Sequence, residues 1–384
     1  MALSSPAPGV IVIPPGPNLV SSPILLNTAP SHSVTLMGYG KQVSYLVRAP
    51  EYQGDIIQFD ERVAGGLSAT LKDFSVENGG VPLFANTSGA AINIKQHGQG
   101  RISLFNILVQ NGKTGLKLGE TGGVGRVFIE DFEFVQSAAY ADLAPSDEGI
   151  LIGCLAGPGS DIRMSNVDIR PDNVFSPNAL TSAIKIISAD GVHISNSLLR
   201  GKLGLYFLAN NSSITNVYCA NTHIDDVVHT GILFSGQQVI SSVSWVGGSI
   251  NGYRGRFPRE AGIDFDGTSY NLGAILFNGA IINCFRTFGV RYRTPSRNGM
   301  VDFKGCQVLG NGDGETGYGF HIGAGTAGLD VHNCRVRNVA PFTQAYGLFF
   351  AGAFERGVFA RNNLEGNLVQ PVFVHQPLVN VRIE

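Results

Sequence analysis

The sequence predicts an all-β solenoid, a parallel β-helix of about twelve coils. Three observations carry that expectation. A corner pattern recurs along the chain, a glycine-led strand recurs between the corners, and no stretch of about ten residues shows a helical period. Composition agrees. Glycine is 50 of 384 residues and charged residues are only 15%, a balance that favours many short strands.

The corner pattern is a short alternation of apolar residues, a polar or glycine corner, and an apolar residue three places on. It runs through Leu71-Lys-Asp73-Phe-Ser-Val76, Leu104-Phe-Asn106-Ile-Leu-Val109 and Ile129-Glu-Asp131-Phe-Glu-Phe134. Further copies are Met164-Ser-Asn166-Val-Asp-Ile169, Ile194-Ser-Asn196-Ser-Leu-Leu199 and Cys219-Ala-Asn221-Thr-His-Ile224. Glycine takes the corner at Gly247, Gly279 and Gly305; asparagine returns at Asn333, with a looser copy near Asn362. Ten intervals between Asp73 and Asn362 give a mean period of about 29 residues, the length of one coil with three short strands. The corner asparagines are expected to form a ladder in which each amide bonds the next coil's turn.

The second recurring piece follows a glycine, as in Gly115-Leu-Lys-Leu118, Gly149-Ile-Leu-Ile152 and Gly204-Leu-Tyr-Phe207. It continues as Gly231-Ile-Leu-Phe234, Gly262-Ile-Asp-Phe265, Gly289-Val-Arg-Tyr292, Gly319-Phe-His-Ile322 and Gly347-Leu-Phe-Phe350. The chain reads as one domain over 1–384, with first coils at 10–60, regular coils at 61–366 and a C-terminal end at 367–384.

A formal net charge of −2 offers no long-range attraction for nucleic acid or an anionic membrane. No apolar run is long enough to span a bilayer, and the N-terminus lacks the basic start and apolar core of a secretory signal. The five cysteines (Cys154, Cys219, Cys284, Cys306 and Cys334) are scattered and odd in number, so they read as small buried core residues rather than a disulfide framework. No Cys-x-x-Cys or His/Cys cluster indicates a metal, and Trp245 reads as core.

These motifs, Ser-Asn-x-x-Ile and Asn-Cys-x-Val with the Gly-Ile-x-Phe strands, resemble the right-handed parallel β-helix, or pectate-lyase-like, superfamily. The opening Gly9-Val-Ile-Val-Ile-Pro-Pro-Gly16 with Val34-Thr-Leu-Met-Gly-Tyr-Gly40 is most similar to the first coils of bacteriophage tailspike and polysaccharide depolymerase members. The Asn-Thr-Asp and Gly-His-Gly motifs of polygalacturonase-like hydrolases are absent, so no catalytic residue is carried over from that branch. The resemblance implies a host-surface polysaccharide as partner, bound and degraded along one sheet between long loops. It also implies a homotrimer, folded in the host cytoplasm and mounted on a virion tail with other tail proteins. A stand-alone uronan lyase or epimerase and a non-catalytic receptor-binding spike are the alternatives.

Period-two alternation then places candidate site residues. Outward positions of the glycine-led strands form two columns. One runs Gln58, Asn93, Lys117, Leu151, Lys185, Tyr206, Leu233, Asp264, Arg291, His321, Phe349. The other runs Asp60, Lys95, Gly119 and onward through Leu208 and Ser235 to Asp266, Arg293 and Gly323. Asp264 is expected to pair with Arg291, and Asp266 with Arg293. The catalytic candidates are Asp264, Asp266, Arg291, Arg293, His321 and, from a preceding loop, Glu260. The substrate-binding candidates are Tyr206, Tyr253, Arg254, Tyr318 and Phe349.

Two outward carboxylates on one strand stand about 6.5–7 Å apart, within the range for inverting glycoside hydrolysis. The neighbouring arginines argue against that chemistry, because a general acid has to hold its proton. A hydrolase would draw its acid from Glu260, Asp225 or Asp226. Elimination from a uronate needs a cation at the sugar carboxylate and a base for the C5 proton, roles open to Arg291, Arg293, His321 or Tyr292. No cofactor is expected, apart from a weak case for Ca²⁺ between Asp264 and Asp266.

Overall fold

Each coil is one pass of the chain through three short strands, and each strand pairs in parallel with its counterpart one coil away. The computed structural model describes residues 9–26, 33–60, 68–77, 89–96, 100–142, 144–153, 157–253, 261–266, 271–293, 299–312, 316–324 and 326–384. Among these the only α-helix is the four-residue turn Ala138–Ala141, capped by Ser137. The chain divides into two compact units, Met1–Gly201 and Lys202–Glu384.

In the first unit the glycine-led sheet contains Ile24–Leu25, Ile57–Asp60, Ala90–Gln96, Thr114–Leu118, Glu148–Ile152 and Ser182–Ile186. Its inward residues Ile92, Leu116, Ile150 and Ile184 stand in register and are fully buried. Its outward column runs Gln58, Asn93, Lys117, Leu151, Lys185, as alternation predicts. The second column departs at its start: a bulge after Phe59 sets Asp60 opposite Gln96 rather than Lys95. Ion pairs occupy much of this face, with Lys117 Nζ 2.8 Å from Glu120 and Lys185 Nζ 3.1 Å from Glu148.

The second unit repeats the coil with Leu203–Leu208, Thr230–Ser235, Ala261–Phe265, Phe288–Tyr292, Gly317–Ile322, Gln344–Phe350 and Gln370–Val374 in its glycine-led sheet. Its core is an aromatic stack. Phe207, Phe234 and Phe265 lie face to face at 4.7 and 4.6 Å, and Phe277 stacks on Phe303 at 4.8 Å. These spacings match the roughly 4.8 Å between paired strands, so ring contact and backbone pairing satisfy each other. Trp245 is buried in this unit, and the described cysteines Cys219, Cys284, Cys306 and Cys334 are buried thiols, not joined in disulfides.

The corner residues share a left-handed backbone. Asp73, Asn106, Asp131, Asn166, Asn196, Asn221 and Asn333 have φ between 47° and 62°, while Gly247, Gly279 and Gly305 have 68°, 70° and 62°. Only glycine, asparagine and aspartate visit that region at low cost, which is why the sequence pattern alternates among them. A side-chain rung of the expected ladder joins Asn106 Nδ2 to Asp73 Oδ1 at 2.7 Å. Backbone bonds also join coils at the corners, as from Gly247 N to Asn278 O and from Gly279 N to Lys304 O. At the loose copy the left-handed residue is Arg361, and Asn362 accepts from the backbone N–H of Cys334.

Candidate functional site

The outer face of the second unit's glycine-led sheet gathers most of the residues singled out above. Strand register aligns Tyr206, Leu233, Asp264, Arg291, His321, Phe349 and Phe373 in one column. A parallel column, three residues earlier on each strand, holds Phe288, Tyr318, Tyr346 and Gln370. A spacing of three breaks the period of two, and glycine is the cause. A Cβ on Gly289 would stand 2.4 Å from Val308 Cγ1 and 2.8 Å from the carbonyl oxygen of Gly319. The glycine backbone therefore presses inward, and the aromatic residue before it turns out beside the arginine two places after it.

Asp264 is the charged centre of this face and is only 2% exposed. Arg291 donates from Nε to Oδ1 at 3.0 Å and from Nη2 to Oδ2 at 2.5 Å; Arg293 Nη2 donates to Oδ2 at 2.9 Å. The expected pairing of Asp266 with Arg293 gives way to this arrangement, in which one buried carboxylate takes both guanidinium groups. A buried charge needs such partners, and Asp264 is the more deeply buried member of the cluster. Tyr206 lies two coils away from Asp264, hydrogen-bonded to Ser235 and within the field of Asp266; burial raises its phenol above the ordinary value.

Beside the arginines the face is aromatic. Phe288, Tyr318 and Tyr346 stack at 5.5 Å intervals, and His321, Phe349 and Phe373 stack at 5.4 and 4.8 Å. Edge contacts join the columns, including Tyr318 to His321 at 5.2 Å and Tyr346 to Phe349 at 5.1 Å. Arg291 lies over Phe288, 5.1 Å from its ring centre. Because the rings stack on one another from coil to coil, they turn their edges rather than their faces to solvent. The hydroxyls of Tyr318 and Tyr346 are not used by any other described residue. Burial lowers the pKa of His321 below the usual imidazole value, and the charges of Arg291 and Arg293 lower it further. The imidazole is therefore neutral near pH 7.

Tyr253 stands apart from this face. It lines a cleft of about 360 Å³ with Asp225, Asp226, Asn251, Asn283 and Cys284. Asp226 and Cys284 there have left-handed φ values of 52° and 65°. Glu260 and Arg254 lie outside the described residues. No group of three or more His, Cys, Asp or Glu residues able to hold a metal occurs among the described residues. A cation between Asp264 and Asp266 would have to displace guanidinium groups from Asp264. Phe288, Tyr346 and Phe373 were missed from sequence. The signal that marks the first two is an aromatic residue directly before the strand glycine, in Phe288-Gly289 and Tyr346-Gly347, shared by Tyr318-Gly319.

Chemically, the face combines an apolar surface with polar tips, a neutral imidazole and a partly exposed guanidinium on Arg293, whose side chain is 40% exposed. No family model and no curated protein matches the sequence. Solved structures do match. The tailspike protein of E. coli bacteriophage HK620 in complex with a pentasaccharide aligns with a TM-score of 0.64 at 12% identity, over 97% of this chain and 72% of that one. A variant of that tailspike in complex with a hexasaccharide aligns with a TM-score of 0.60 at 13% identity, over 97% and 73%. The A-module of the Azotobacter vinelandii mannuronan C-5 epimerase AlgE4 aligns over 97% and 91% at 11% identity, with a TM-score of 0.45. The chain is a right-handed parallel β-helix of the kind found in the tailspike.

Proposed function

We propose that this chain binds an extended polysaccharide along the outer face of the second unit's glycine-led sheet, as a tailspike-like protein that degrades a host surface glycan. The carrying observation is the paired aromatic columns from Phe288 to Phe373 beside the arginines held by Asp264. Such a face excludes water over several coils while the tyrosine hydroxyls and Arg293 remain available to sugar hydroxyls or carboxylates. On this reading the protein is a homotrimer carried on a virion tail with other tail proteins. The tailspikes of the same fold, solved with pentasaccharide and hexasaccharide, support the glycan-binding part of this reading.

For the chemical step, the observation that favours elimination over hydrolysis is the neutral His321 beside two guanidinium groups. Arg293 would neutralise a uronate carboxylate while the imidazole takes the C5 proton; the C4–C5 double bond forms as the C4–O glycosidic bond breaks, and the departing oxygen takes a proton from the imidazolium or from water. Asp264, with both oxygens accepting guanidinium N–H bonds, serves as a positioning residue and not as a general acid. Incubation with capsular and uronic-acid polymers tests both parts. Growth of absorbance near 232 nm, from the unsaturated product, supports elimination. New reducing ends without that absorbance support hydrolysis, and binding without product leaves a receptor-binding spike. Absence of both binding and product across a broad glycan panel overturns the proposal.

A further inference from the structure

A second cleft lies wholly within the first unit, on a different sheet. The strands Ile102–Gln110, Val124–Gln136, Gly159–Ser165 and Ala189–Ser195 run parallel there in consecutive coils. Their register sets two outward columns: Ser103, Phe128, Arg163, His193 and Phe105, Glu130, Ser165, Ser195. Together with Arg101 they enclose a cleft of about 430 Å³.

Two arginines bracket its aromatic floor. The guanidinium carbon of Arg101 is 4.1 Å from the Phe128 ring centre and that of Arg163 is 5.7 Å away. Arg101 Nε donates to Ser103 Oγ at 3.2 Å. Neither guanidinium has an ion-pair partner among the described residues, in contrast to Arg291 and Arg293. A guanidinium packed against a ring keeps its N–H edge for a planar acceptor, and the match for that edge is a carboxylate. Phe105 is 40% exposed at the rim, so the complementary ligand also has an apolar side. The remaining outward groups are the hydroxyls of Ser103, Ser165 and Ser195, the carboxylate of Glu130 and the imidazole of His193. Glu130 partly offsets the arginines, so the cleft suits one carboxylate at a time along a sugar chain.

We propose that this cleft binds a carboxylated sugar residue of an oligosaccharide, with its carboxylate on Arg163 and Arg101. The C–H side of the ring rests on Phe105 and Phe128, and its hydroxyls meet the serines and Glu130. Four coils span roughly 14 Å between the outer strands, room for a short oligomer. The site is independent of the aromatic face in the second unit.

The test uses the full chain with trigalacturonate as probe and maltotriose as the neutral control, read by isothermal titration calorimetry. The expected result is trigalacturonate binding that weakens with added salt and at least tenfold in Arg163→Ala and Arg101→Ala. Arg163→Lys, which keeps charge and bulk, is expected to fall between. Circular dichroism establishes that each variant is folded. No trigalacturonate binding by the folded parent overturns the proposal, as does equal binding by the arginine variants or equal binding of maltotriose. So does a change in sedimentation mass on Arg163→Glu, which would make the cleft a contact between copies of the chain.

Discussion

The carboxylate of Asp264 holds Arg291 through both of its oxygens, with Nε on Oδ1 at 3.0 Å and Nη2 on Oδ2 at 2.5 Å. Arg293 completes the set on Oδ2. The three side chains come from adjacent coils and share one buried anion. Removing that anion strands two cations at once, whereas removing the outer cation leaves the inner pair intact. Asp264→Ala is therefore expected to lose about 3–5 kcal/mol of stability, and Arg293→Ala less than about 1 kcal/mol. Urea unfolding of the two variants measures the difference; equal small losses would show that the cluster is only a surface charge ladder.

Close backbone approach makes a second prediction. A Cβ on Gly262 would lie 2.4 Å from Ile282 Cγ2 and 2.6 Å from the carbonyl oxygen of Gly289. At the corner Gly279, with φ of 70°, nothing lies within 4 Å. Gly262→Ala is expected to cost about 1–3 kcal/mol through overpacking. Gly279→Asn, which restores the residue used at other corners, is expected to stay within about 0.5 kcal/mol. Thermal melts of both variants compare the inside of the coil with its corner.

His321 makes stability depend on pH in a defined direction. Its folded pKa is lowered by burial and then by the arginines, so the unfolded chain binds the extra proton first on acidification. The contribution of His321 is fully present above its unfolded value of about 6.5 and declines as pH falls through the window below it. His321→Phe is expected to flatten that part of the stability profile. Unfolding of parent and variant at intervals between pH 7.5 and 5 reads the slope, and identical slopes would refute the assignment.

The tyrosine tips separate binding from packing. Tyr318→Phe and Tyr346→Phe keep the rings that stack at 5.5 Å and remove only the hydroxyls. Each is expected to weaken glycan binding severalfold while leaving the melting temperature unchanged, since the hydroxyls are not used by other described residues. Affinity unchanged in both variants would place the ligand elsewhere.

Much of this face was legible in the sequence because alternation and the coil period are properties of the backbone. They placed Tyr206, Asp264, Arg291, His321 and Phe349 in one column, and the observed register does the same. Phe288 and Tyr346 were not legible by that rule, because the glycine after each reverses the alternation. The exchange of Arg293 from Asp266 to Asp264 was hidden for another reason: a long side chain chooses among neighbours by burial, which a column of letters does not contain. At Asp60 a bulge shifts the register, again a local event with no periodic signal. The corner residues were recognised as a ladder of amides, while their shared requirement is a left-handed φ.

The most direct test is the crystallographic position of a bound oligosaccharide derived from a polymer the protein recognises. The expected result is a chain lying across several coils of the second unit, against Tyr318, Tyr346, Phe349 and Phe373 and within reach of Arg293. A ligand bound tightly elsewhere, with this face uncovered, would contradict it.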